Sequence, residues 1–108
     1  MQDLSINNRV LTIYTKDAKL PIYQEQLRSL DADKKGLLER DIIIKKIVYD
    51  NSTAPIFKKN KISGDFSIVL TGKDGGEKFR STKLTTPKQL YNIIDAMPMR
   101  KSEMKSKR

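Results

Sequence analysis

Apolar positions follow two different rhythms along this chain. Nearly unbroken β-branched and aromatic runs occur at "RVLTIYT" (Arg9 to Thr15), "IIIKKIVY" (Ile42 to Tyr49) and "FSIVL" (Phe66 to Leu70). Runs of this kind predict buried strands. Between the first two, Leu20, Tyr23, Leu27 and Leu30 recur at helical spacing around Pro21, a residue suited to a first helical position. The stretch "DADKKGLLERD" breaks that helix and returns the chain. A strand, a helix and a second buried strand predict a right-handed parallel crossover with helices covering the sheet.

The second half continues the alternation. "TAPIFKKN" predicts a short helix capped by Thr53, with Ile56 and Phe57 facing inward. Glu77, Lys78 and Arg80 alternate with Phe79 and Ser81, the period of a strand with one wet face. Near the end Thr86 caps, Pro87 sits in the first turn, and Leu90, Ile93, Ile94 and Met97 form an apolar stripe. Pro98 is expected to stop that helix, since the residue before a proline resists helical geometry. The resulting class is α/β: a single domain over residues 9–98, with a four-stranded mixed sheet in the order β-α-β-α-β-β-α. Residues 1–8 form an N-terminal extension, and residues 99–108, without a core-forming pattern, a basic mobile tail.

One glycine-rich stretch, "GKDGGEKFRS" (Gly72 to Ser81), could be a phosphate cradle or the turn of a hairpin. A phosphate-binding loop needs four residues between its first glycine and a Gly-Lys-Ser/Thr, followed by a helix. This one leads into a strand, so it predicts a hairpin in which glycines supply positive φ. Asp31, Asp33 and Gly36 match three positions of a calcium loop, but Lys35 and Ile42 occupy positions that need oxygen ligands. No metal is expected there. Asn51-Ser52-Thr53 fits the glycosylation triplet, a pattern frequent by chance.

Composition narrows the chemistry. The chain of 108 residues contains no Cys and no His. Thiol nucleophiles, disulfide exchange, iron–sulfur clusters, thiolate zinc and histidine-based acid–base pairs are thereby excluded. An enzyme built here would need tuned Asp, Glu, Lys or Tyr groups; no enzyme activity and no cofactor are expected. No apolar run is long enough to span a membrane. The start, Met1 to Ser5, lacks the charged-then-apolar plan of a signal peptide, and a cleaved one would leave no trace.

Charge adds a second possibility. Lys and Arg number 22 against 13 acids, for a net +9, concentrated at Lys58, Lys59 and Lys61 and in a tail that begins Arg100-Lys101. Such surfaces gather polyanions by counterion release, so nucleic acid or an acidic polysaccharide is a candidate partner. Aromatic stacking platforms for single strands are scarce, with no Trp in the chain.

The element order is similar to that of a thioredoxin-like domain. "GKDGGEKFRS" followed by "PKQLYNIIDAMPMRKSEM" resembles the signature of an uncharacterised, mainly bacterial domain-of-unknown-function family of thioredoxin- or peroxiredoxin-like fold. Related domains occur in vertebrate sushi-repeat extracellular proteins. The resemblance spans Arg9 to Met104. It implies the fold and, because many relatives are exported, a periplasmic or secreted location after removal of a signal peptide. It also implies where a site would lie. Redox thiols of such enzymes sit where the first strand turns into the first helix, here Thr15 to Pro21. The facing cis-proline position falls on Ser63-Gly64-Asp65, which has no proline.

Both halves of the redox machinery are therefore missing. What remains at that end is polar: Lys16, Asp17 and Lys19 at a helix N-terminus, Asp65 opposite, with Tyr23 and Arg80 as further candidates for holding an anion or a partner's carboxylate. The leading expectation is a non-catalytic thioredoxin-like module for a protein or matrix partner. The alternative is a polyanion-binding protein using Lys58, Lys59, Lys61, Arg100 and Lys101.

Overall fold

Strand β1, Arg9–Thr15, has all seven side chains buried, and the rest of the fold is arranged around it. A computed structural model describes residues 8–106. Helices α1 (Pro21–Asp31) and α2 (Lys34–Glu39) lead to β2 (Ile42–Val48), and α3 (Ala54–Lys59) to β3 (Phe66–Thr71) and β4 (Glu77–Ser81). Helices α4 (Pro87–Asp95) and α5 (Pro98–Ser106) follow. The sheet order is β2-β1-β3-β4. β1 runs parallel to β2, with Arg9 opposite Ile42 and Thr15 opposite Val48, and antiparallel to β3, with Leu11 opposite Leu70. The expected four-stranded mixed sheet flanked by helices is what forms.

Alternation along β1 divides the core between the two faces. Leu11 and Ile13 join Ile68 and Leu70 of β3 against Tyr23 and Leu30 of α1, Leu37 of α2, and Leu90 and Ile94 of α4. Tyr14 points the other way and joins Phe57 of α3 and Val69 in a smaller cluster. Fully buried Gln26 of α1 serves the larger face: its amide donates to the Thr85 carbonyl at 2.8 Å and accepts from the Thr85 N–H at 2.8 Å. That two-way clasp satisfies a buried polar group and positions the entry to α4. There Thr86 and Gln89 complete a capping box, with Pro87 at the first position.

Several local expectations are corrected. β2 is not fully buried: among the described residues it is an edge strand, and Lys45 and Lys46 are exposed. The segment after α1 forms α2, whose N-terminus is capped by the Asp33 side chain accepting from the Gly36 N–H. Asp33 therefore works as a cap. Thr53 occupies the N-cap position of α3, but its hydroxyl donates to the Val48 carbonyl at 2.7 Å rather than capping the helix. Ile56 is exposed and only Phe57 of that helix is buried. In the hairpin, Gly75 has φ +85°, whereas Gly72 and Gly76 do not use the left-handed region.

The tail is the largest difference. Helix α4 ends at Asp95, before Pro98, but the segment expected as a tail forms α5, with Pro98 at its start, a first helical position that suits proline. The Arg100 side chain is 3% exposed; it donates to the Asp95 carboxylate at 3.3 Å and to the Glu39 carbonyl at 3.3 Å. A hydrophobic pattern cannot reveal an element anchored by a buried arginine. Residues 1–7 and 107–108 of the expected extension and tail lie outside the described residues.

Candidate functional site

The two parallel strands end side by side and send their chains to opposite faces. After Thr15 the chain enters α1 on the larger-core side; after Val48 it reaches α3 on the other. Crevices at such topological switch points are where open α/β sheets bind ligands. The Tyr49 N–H donates to the Thr15 carbonyl at 2.8 Å, and the Lys16 N–H to the Asp65 carbonyl at 2.9 Å. These bonds bring the three loops together at one end of the sheet.

The loop from Thr15 to Leu20 is stitched to itself. The Thr15 hydroxyl donates to the Asp17 carbonyl at 2.9 Å, the Asp17 carboxylate accepts from the Lys19 N–H at 2.8 Å, and the Leu20 N–H reaches the Asp17 carbonyl at 3.1 Å. Asp17 thus closes a turn and does not cap α1, whose N-cap residue is Leu20. The N–H groups of Asp17, Lys19 and Leu20 are consumed within the loop, which leaves fewer donors for an anion than a bare helix end offers. Lys16, Asp17, Lys19 and Asp65 are all exposed at this end.

The other two candidates go elsewhere. Tyr23 is buried in the larger core, and burial pushes its hydroxyl pKa up. Arg80 lies on the α3 face, beside Tyr14. Its guanidinium donates to Glu77 at 2.8 and 3.0 Å and to the carbonyls of Asn60 and Lys61 at 2.9 and 3.2 Å. Those bonds hold Glu77 below the usual carboxylate range and fasten the end of α3 to β4. Arg80 is a structural fastener.

The sequence places Tyr49 at the end of the apolar run "IIIKKIVY", which predicts burial. In the structure it is 43% exposed. Its ring meets Phe57 edge-on at 5.0 Å, Phe57 meets Tyr14 at 5.3 Å, and the Lys16 ammonium lies 5.4 Å from the Tyr49 centroid. An aromatic ladder thus runs from the core to the surface and ends beneath a cation. The neighbouring Asp50 carboxylate is drawn below its usual pKa by the Ser52 hydroxyl and by N–H donors from Thr53 and Ser52, so it shapes the loop.

Of the expected basic patch, Lys58, Lys59, Lys61 and Lys101 are exposed. Arg100 is withdrawn from it by burial and by its pairing with Asp95. Among the described residues, no group of three His, Cys, Asp or Glu could hold a metal ion. No described helix is long and apolar enough to cross a membrane.

The mixed sheet, the helices on its two faces and the loop end described above define a thioredoxin-like fold, in a chain without cysteine. The solved structure of Trxlp from Edwardsiella tarda superposes with a TM-score of 0.66, covering 84% of this chain and 85% of that one at 22% identity. The reduced 2-Cys peroxiredoxin of Plasmodium vivax gives 0.69, covering 90% and 81% at 12% identity. The chain belongs to the family described as Domain of unknown function (DUF4174), which matches residues 1–103. It is also similar to the sushi repeat-containing protein SRPX of Rattus norvegicus, 32% identical over 112 residues and covering 89% of this chain. The Mus musculus protein is 30% identical over the same share. The chain spans 24% of the length of each of these two relatives.

Proposed function

We propose that this chain is a non-catalytic thioredoxin-like binding module that docks a protein partner at the carboxyl ends of β1 and β2. The observation that carries the reading is Tyr49: a large aromatic side chain, half exposed at the switch point and buttressed by Phe57 and Lys16. Exposed tyrosines on rigid supports are typical anchors of protein interfaces, because they bury much area for little lost side-chain freedom. The sequence has no thiol and no imidazole, and the 520, 300 and 270 Å³ clefts are lined by residues other than Lys16, Asp17 and Asp65. The similarity to one quarter of larger sushi-repeat proteins supports a module carried as part of an assembly.

The test compares immobilised wild-type protein with Tyr49→Ala and Lys16→Glu, both at exposed positions. A protein captured by the wild type should be lost by both variants, each of which a thermal melt should show to be folded. Capture unaffected by either change overturns the site. Heparin retention lost in Lys58→Glu/Lys59→Glu but kept in Tyr49→Ala would favour the polyanion reading. Reduction of insulin or turnover of peroxide by the purified chain would overturn the non-catalytic part.

A further inference from the structure

Among the described residues β2 borders the sheet, paired to β1 on one side only. The register decides which backbone groups are left over. The Arg9 N–H donates to the Asp41 carbonyl and the Tyr49 N–H to the Thr15 carbonyl, each at 2.8 Å. In a parallel ladder each residue bonds to the neighbours of its partner on either side. Ile43, Lys45 and Ile47 therefore face β1; the N–H groups of Ile44, Lys46 and Val48 and the C=O groups of Ile44 and Lys46 point away from the sheet, while the Val48 carbonyl is taken by the Thr53 hydroxyl.

Beside those groups lies a groove of about 520 Å³. Leu27, Leu30, Leu37 and Ile44 form its apolar wall, and Lys46 stands at its rim. Two other rim cations are already neutralised, Arg28 by Glu25 at 2.7 Å and Lys34 by Asp31 at 3.1 Å. Lys45 and Lys46 are exposed, and neither is in an ion pair among the described residues.

An open edge can recruit a further strand. Charge selects which one. A second copy pairing antiparallel about the middle of β2 would set Lys45 directly against its own copy, and like charges directly opposite are destabilising. A strand bearing an acid at that position meets no such penalty. We propose that β2 accepts an extended segment of a partner protein by strand addition. Acidic residues of that segment lie beside Lys45 on one face of the sheet, and the alternate, apolar side chains enter the groove beside Ile44 and Lys46 on the other. This surface is distinct from the one at Tyr49.

The probe is a displayed library of random peptides of about ten residues, long enough to cover a strand. Two variants accompany the wild-type protein, both checked by thermal melt. Lys46→Pro removes an outward N–H while leaving the β1 ladder intact, an edge position where proline is tolerated. Lys45→Glu/Lys46→Glu reverses the charge. Selection on the wild type should enrich peptides alternating Asp or Glu with Val, Ile or Leu. Bound peptide should slow amide exchange at Ile44, Lys46 and Val48, and either variant should weaken binding at least about tenfold. Tyr49→Ala should leave this binding unchanged, which separates it from the first docking surface. The proposal is overturned by a library that yields no binder, by binders without acids, or by affinity retained in both folded variants. Self-association of the wild type that Lys46→Pro abolishes would also overturn it, since the occupant would be a second copy.

Discussion

The Arg40 guanidinium grips the Asp95 carboxylate with both arms of its fork, Nε to Oδ1 at 3.1 Å and Nη2 to Oδ2 at 3.0 Å. The same guanidinium lies 3.8 Å from the centroid of the Tyr91 ring, and Arg100 approaches Asp95 from α5. One carboxylate thereby joins the end of α2 to α4 and α5.

Asp95→Asn should lower stability at neutral pH by about 1–2 kcal/mol, less than a fully buried pair because the Asp95 side chain is 36% exposed to screening water. Hydrogen bonds from Arg40, opposed by partial burial and aided by the charges of Arg40 and Arg100, hold the Asp95 carboxyl below its ordinary pKa. A depressed folded value contributes stability that is complete above the unfolded pKa, about 3.9, and is lost as pH falls through the folded value. Wild-type stability should therefore decline below about pH 4, and the share of that decline due to Asp95 should be missing in the variant. Urea melts across that range measure it.

Arg100→Ala, and truncation before Arg100, should lower the melting temperature. Either leaves Asp95 short of a partner and opens the place of a side chain now 3% exposed. A loss of about 2–3 kcal/mol is expected for Arg100→Ala, from removal of one member of a mostly buried ion-paired group. A truncated chain that melts like the full chain would show that α5 adds nothing to the fold.

The two adjacent hairpin glycines should respond differently. Gly75 has φ +85°, a conformation that a β-branched residue adopts at a cost of about 1–3 kcal/mol. At Gly76 a Cβ would lie 3.3 Å from the Asp74 carboxylate, without that backbone strain. Gly75→Val should be clearly the more damaging in a thermal melt; equal losses would refute the assignment.

Gly36 sits inside α2, where alanine ordinarily stabilises by about 1 kcal/mol. Here the sign should reverse. A Cβ would fall 2.5 Å from the Tyr91 hydroxyl and 2.9 Å from its Cζ, driving that ring from its 2.9 Å hydrogen bond to Asp33. Burial, then the bond to Asp33, pushes the Tyr91 hydroxyl up to about 12. The raised folded value gives stability complete below the unfolded pKa, about 10, and lost as pH rises toward the folded one. Gly36→Ala should lower the melting temperature and bring Tyr91 ionisation to lower pH in an absorbance titration.

The legible parts were those carried by neighbours in the chain. The β-branched runs of β1 and β3, the Thr86-Pro87 start of α4 and the turn at Gly72 to Gly76 each rest on local steric preference and local hydrogen bonding. Their order, with the resemblance carried by "GKDGGEKFRS" and "PKQLYNIIDAMPMRKSEM", was enough to indicate the fold. Composition excluded cysteine and histidine chemistry outright. Partnership between distant residues decided the rest. "IIIKKIV" reads as buried until the sheet order places it at an edge, and exposure there depends on what lies beyond it, not on its own residues. Helix α2, six residues long, is too short to show a helical period, and α5 is anchored by Arg100 through contacts to Asp95 and Glu39. Tyr23 and Arg80 read as site residues until packing sent one into the core and the other to the α3 face. Tyr49 became the candidate anchor because Phe57 supports its ring beside Lys16, at the point where two parallel strands part.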